Sequence, residues 1–163
     1  MARDLNLAYQ WAIEKCKQAN VGYSQDYRNE MTVDGLTYYD CSSFIWYALM
    51  YAGFDVVSAN GGSTWPFTTW TMDAALTLLG FTTMSTYIDW QAGDILLREG
   101  HCEFVYEGRK TMGAHSSTYD FPDQVSINTF DSSPDKWETL YRYVDGIAPK
   151  RKKMPLWMMC RFY

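Results

Sequence analysis

The chain has 163 residues, 47% hydrophobic and 20% charged, which describes one globular domain with room for a core and excludes a disordered chain. Its net charge is −5, yet Lys150, Arg151, Lys152, Lys153 and Arg161 all stand near the end, leaving residues 1–149 nine basic and nineteen acidic side chains. A body that acidic repels phosphates and excludes nucleic acid as a partner.

No run approaches the roughly 18 apolar residues of a membrane span. The opening MARDLNLAYQ has no basic region followed by an apolar run, so the expectation is cytoplasmic synthesis without a signal peptide. Cys16, Cys41, Cys102 and Cys160 form no CxxC pair, and reduced thiols are expected. Seven Trp and thirteen Tyr exceed what a core of this size hides. Some should line a groove or a partner interface.

In chain order, residues 4–19 read as a helix: Asp4 or Asn6 caps it, and Leu5, Ala8, Ala12, Ile13, Cys16 and Ala19 recur at helical spacing. Residues 20–39 read as a polar, aromatic loop. A second helix starts at Cys41, with Asp40 as N-cap, a stripe of Phe44, Ile45, Ala48, Leu49 and Ala52, and Gly53 as the stop. Residues 58–70 read as a loop, and 71–79 as a helix closed by Gly80. From about 92 the period changes, and AGDILLREG, HCEFVYEG and RKTMGAHSS read as antiparallel strands, with one or two more over 124–145. Helices first and sheet second means α+β.

The chemistry starts at Asp40-Cys41-Ser42-Ser43. A cysteine in the first turn of a helix meets free backbone N–H groups and the helix dipole, which favour its thiolate. A buried structural cysteine is the alternative. His101 and His115 are the only histidines. Alternation puts His101, Glu103 and Val105 on one strand face and Cys102, Phe104 and Tyr106 on the other. With Glu107-Gly108-Arg109 as a three-residue turn, His115 falls opposite His101; a two-residue turn at Gly108-Arg109 would separate them. The expected result is an imidazole pair, one ring presented to the thiol and one behind it. Zinc held by Cys41, Cys102, His101 and His115 is disfavoured because His101 and Cys102 point to opposite sides, and no cofactor is expected.

Asp40-Cys41-Ser42-Ser43 before an apolar helix, then Gly93-Asp94-Ile95, Gly100-His101 and Ala114-His115, resembles the NlpC-like cell-wall hydrolases. The segment Val21-Gly22-Tyr23-Ser24-Gln25-Asp26-Tyr27-Arg28 resembles more narrowly their phage-encoded branch, the bacteriophage peptidoglycan hydrolases or amidases. The likeness covers about residues 5–145. It implies a papain-like core, a catalytic domain over 1–148 and bacterial peptidoglycan as partner, with action at the cell wall after synthesis in a host cytoplasm. It further implies that Cys41 attacks a stem-peptide amide, at a γ-glutamyl bond or the lactyl–alanine bond. His101 would be its base, His115 would hold His101, and Tyr23 with the Cys41 N–H would form the oxyanion site. Tyr27 rivals Tyr23, because the interval to Cys41 is long.

Asp40, Ser42, Glu103 and Tyr27 are candidate substrate contacts; Asp40 also reads as a plain cap, and Glu103 as a residue tuning His101. Cys102 stands where the family has a small or β-branched residue, and is expected in the core or as a redox-sensitive second thiol. Trp65, Trp70 and Trp90 could wall a groove, although core packing is expected for each. The tail 149–163 is expected to dock as a strand or to attach to a wall, virion or tail assembly. A catalytically inert wall-binding or tail module is the alternative function.

Overall fold

The computed structural model describes residues 3–144, so the expectations for the 149–163 tail lie outside the described residues. Helix α1 (Leu5–Lys17) is capped by Asp4, whose Oδ1 accepts from the Asn6 N–H at 2.9 Å. Lys15 and Lys17 occupy its last turn, where cations suit the dipole. Ala8, Trp11 and Ala12 face inward.

Residues 20–39 are not the loop expected. They form β1 (Val21–Tyr23), β2 (Thr32–Val33) and β3 (Leu36–Tyr39), a small sheet in the order β1-β3-β2. Asp34 and Gly35 join β2 to β3 with φ of 52° and 79°, the left-handed pair of a tight hairpin turn. The parallel β1–β3 pairing sets Tyr23 beside Tyr39. This brings Tyr23 abreast of the chain two residues before Cys41.

Helix α2 (Cys41–Tyr51) buries eight of its eleven residues, as a helix apolar on all sides must. Asp40 caps it as expected, and Gly53 follows at φ 88°. The stretch 58–70 is irregular apart from the end of α3 (Val56–Ala59), and α4 (Met72–Leu78) precedes Gly80 at φ 100°.

The remaining strands form one antiparallel sheet ordered β4-β9-β5-β6-β7-β8. They are β4 (Phe81–Met84), β5 (Ile95–Arg98), β6 (His101–Glu107), β7 (Lys110–Ala114), β8 (Val125–Asn128) and β9 (Thr139–Tyr143), with α5 (Phe121–Gln124) before β8. The α+β class holds, although β1–β3 interrupt the expected order of helices before sheet. The sheet separates two cores. Cys102 and Phe104 pack with α1 and α2 on one face; Val105 packs with Trp90, Leu96, Trp137 and Leu140 on the other. Gly93-Asp94 locks the sheet's middle: buried Asp94 takes the Arg142 guanidinium of β9 at 2.9 and 2.8 Å. Among the described residues no helix is long and apolar enough to cross a membrane.

Candidate active site

Cys41 is the first residue of α2, and its cap fixes it. Asp40 Oδ1 accepts from the Ser43 N–H at 2.8 Å, while Ser43 Oγ accepts from the Asp40 N–H at 2.9 Å. This reciprocal box satisfies two helix-start donors. Asp40 Oδ2 takes the Arg28 Nε–H at 2.6 Å, and Arg28 also donates to Ser42 Oγ at 3.0 Å and to the Pro66 and Phe67 carbonyls. Buried Arg28 therefore ties the 63–70 loop to the residues on either side of Cys41.

On its other side Cys41 meets the start of β6. Its Sγ lies 4.0 Å from the Gly100 carbonyl oxygen, and the Cys102 thiol and the His101 ring stand near enough to act on its proton. The Cys102 contact and the His101 bond and charge outweigh burial and Asp40, bringing the Cys41 thiol down to about 5. His101 moves the opposite way: burial lowers it, but its bonds to Cys41 and Glu103 raise it to about 9. Between these values the pair is a thiolate and an imidazolium.

Behind His101 stands Glu103, with no exposed surface. Its Oε1 takes His101 Nε2 at 2.8 Å and His115 Nδ1 at 2.5 Å. Burial pushes its carboxyl up, but the two imidazoles hold it at about 2. Its Oε2 has no hydrogen-bond partner among the described residues, so the buried charge depends on those rings. With Nε2 committed to Glu103, Nδ1 is the His101 nitrogen left for the thiol. His115 Nε2 lies 3.0 Å from the Ser126 carbonyl oxygen and 2.8 Å from Asn128 Nδ2.

The histidines share a face, as expected, but by another route. The turn is the two-residue Gly108-Arg109, with Glu107 paired to Lys110. That turn alone would put His115 opposite Cys102. A bulge at Tyr106 restores Val105↔Thr111 and Phe104↔Met112. The restored register brings position 115 opposite 101, with the ring centroids 6.2 Å apart. The expected direct pair is therefore corrected to one bridged by Glu103. Full burial also removes Glu103 from contact with anything at the surface.

Tyr23 lies close enough for the Cys41 charge to raise its phenol; burial comes first and Cys41 and Asp40 add to it, reaching about 12. It is therefore a hydroxyl donor at neutral pH. Tyr27, exposed, packs on Tyr38 at 5.7 Å. Asp40 and Ser42 are buried and spend their polar atoms on Arg28, Ser43 and each other. Trp90 packs in the core as expected, but Trp65 and Trp70 do not, and Trp70 is 78% exposed. Trp70, Thr69, Leu97, Arg98, Glu99, Gly100 and Glu138 line a cavity of about 310 Å³ beside the carbonyl that Cys41 approaches.

Arg28 and Gln124 are the partners that sequence reasoning missed. Gln124 Oε1 accepts from the Tyr23 N–H at 3.0 Å, and its carbonyl accepts from the His115 N–H at 2.7 Å. It thus joins the tyrosine strand to the histidine strand. Arg28 ended the motif that carried the family likeness; nothing local marked Gln124.

The metal-capable set is not the one weighed from the sequence. His101, Glu103, His115 and Asp131 bring ligand atoms within 4.8 Å of one another, a spacing that a divalent cation could bridge. Hydrogen bonds already account for it, since Glu103 Oε1 serves both rings and Asp131 takes Arg98 at 3.0 Å.

No curated protein matches the chain. The family model described as bacteriophage peptidoglycan hydrolase matches residues 5–144, nearly all of the described fold, and the chain belongs to that family of hydrolases acting on the bacterial cell wall.

Proposed function

We propose that the protein is a cysteine hydrolase that cleaves an amide of the peptidoglycan stem peptide, with Cys41 as nucleophile. One observation carries this reading: the Cys41 thiol, against the start of β6, stands beside a histidine whose far nitrogen is bonded to a buried carboxylate. Nucleophile, base and orienting group stand in sequence.

The Cys41 thiolate attacks the amide carbonyl carbon. The oxyanion takes the Cys41 backbone N–H at the start of α2 and the Tyr23 hydroxyl. His101 gives its Nδ1 proton to the departing amine, leaving a thioester on Cys41. The same ring then takes a proton from water, whose oxygen attacks the thioester and frees the acid. Glu103 holds His101 in the tautomer that presents Nδ1, and His115 holds Glu103. The orienting role expected of His115 thus passes to Glu103. Asp40 and Ser42 position the helix start and do not touch substrate.

The scissile bond is a γ-glutamyl amide or the lactyl–alanine amide. Mass spectrometry of products from defined muropeptides tells the two apart and detects transfer to an amine. Purified Cys41→Ala protein should fail to clear a cell-wall suspension. Clearing at the wild-type rate would end the proposal.

A further inference from the structure

The mechanism leaves one neighbour of Cys41 unused. Cys102 is fully buried and shares the helix-side core with Cys41, whose Sγ lies 4.0 Å from the carbonyl oxygen of Gly100 at the start of the same strand, and each thiol acts on the other's proton. The β6 alternation that sends His101 and Glu103 to one face sends Cys102 to the other, toward α2. Cys41 sits over the strand's first residues, where it reaches both His101 and Cys102. Cys16, on α1, lies by the Gly113 backbone and is not among the groups that act on the Cys41 thiol.

We propose that Cys102 is a resolving thiol: a hydroperoxide oxidises Cys41, and Cys102 captures the product as a Cys41–Cys102 disulfide. This rests on Cys41 being the reactive thiolate of the proposed function. In the first step the thiolate sulfur attacks the peroxide. The O–O bond breaks, Cys41 becomes a sulfenic acid, and the second oxygen leaves as hydroxide or alkoxide. The sulfur loses two electrons and the peroxide gains them. In the second step the Cys102 sulfur attacks the Cys41 sulfur. The S–S bond forms and the S–O bond breaks, and the departing oxygen leaves as water with the Cys102 proton.

The order of events suits the surroundings. Burial raises the Cys102 thiol first, and the charged Cys41 adds to it. Conversion of Cys41 to the neutral sulfenic acid removes that charge and eases deprotonation of Cys102 when it is needed. The disulfide stops hydrolysis but remains reducible, whereas further oxidation to the sulfinic acid does not reverse with thiols.

The test treats the full chain with hydrogen peroxide, alkylates free thiols and maps peptides without reduction. A Cys41–Cys102 linked peptide, lighter by two hydrogens, should appear as wall clearing is lost, and dithiothreitol should restore clearing. In Cys102→Ala, Cys41 should instead collect two or three oxygens, and dithiothreitol should recover nothing. Wild-type protein that forms no such link, or links Cys41 elsewhere, overturns the proposal even if the variant fails to fold. The peptide map does not depend on hydrolysis. A link in protein that never cleaves peptidoglycan would sink the proposed function and leave this inference standing.

Discussion

Cys41 lies between two buried charge networks of opposite character. On the cap side, Arg28, Asp40 and Ser42 form a network in which one guanidinium spreads its donors over a carboxylate, a hydroxyl and two carbonyls. On the strand side, His101 shares a proton with the thiol, with Glu103 bonded behind it and His115 bonded to Glu103. The first holds the thiol in place and the second changes its state. Position and reactivity are therefore separable, and substitutions on the two sides should fail in different ways.

The largest effect is expected on the titrating side. Glu103→Gln keeps the shape but removes the charge that holds His101, and should lower kcat roughly 10³-fold. The alkaline limit of the residual activity should move down from about 9, because the imidazolium loses its counter-ion. The variant should also lose the stability that the ionised carboxylate contributes, but a loss of activity far larger than that loss of stability would separate the two networks; a pH profile and a melting curve on one preparation measure both.

Next is the fixed side. Arg28→Ala strands a buried carboxylate and two carbonyls, and should cost about 3 kcal/mol of stability. Urea denaturation reads this as a lower midpoint. Arg28→Lys should recover little, because one ammonium cannot reach the carboxylate, the hydroxyl and both carbonyls in the guanidinium's fork. A variant that keeps its stability and loses only activity would reverse the assignment of roles.

The wild-type pH profile follows in size. The Cys41 thiolate is lost as pH falls through about 5, and the His101 imidazolium as pH rises through about 9. The rate should form a bell with limbs near these values, each falling about tenfold per pH unit. The limbs belong to the pair rather than to either residue. Glu103 adds a stability effect in acid. Its carboxyl lies at about 2 against an ordinary 4.5, so its contribution is complete above 4.5 and lost as pH falls toward 2. The smallest effect is expected outside both networks: Trp70→Ala, on the cavity rim, should raise KM a few-fold and leave the melting temperature unchanged.

The sequence disclosed what local chemistry specifies. Asp40 before Cys41 is a cap because a short carboxylate there must meet free N–H groups. The Phe44 to Ala52 stripe is buried because its spacing leaves no other face. Strand alternation put Cys102 and Glu103 on the correct sides, but alternation carries no depth, so Glu103 was legible as a neighbour of His101 and not as a bridge. Strands β1 to β3 were missed because two to four residues give no period, although Asp34-Gly35 was a hairpin signal in plain view. Arg28 acts on residues twelve to thirty-nine positions away, and only the folded chain reveals such a partner. A core place for Trp65 and Trp70 follows only from residue type, which says how much surface a side chain has and not where it goes.

The Tyr106 bulge makes the hairpin's length a question of which residue is lost. Thirteen residues separate His101 from His115, an odd count that a two-residue turn cannot close with both rings on one face, and the unpaired Tyr106 absorbs the surplus. Excising Tyr106 itself should therefore leave the rings facing each other across a regular hairpin. Excising one paired residue of β7 with the bulge kept should instead turn His115 toward the helices and leave Glu103 with a single ring.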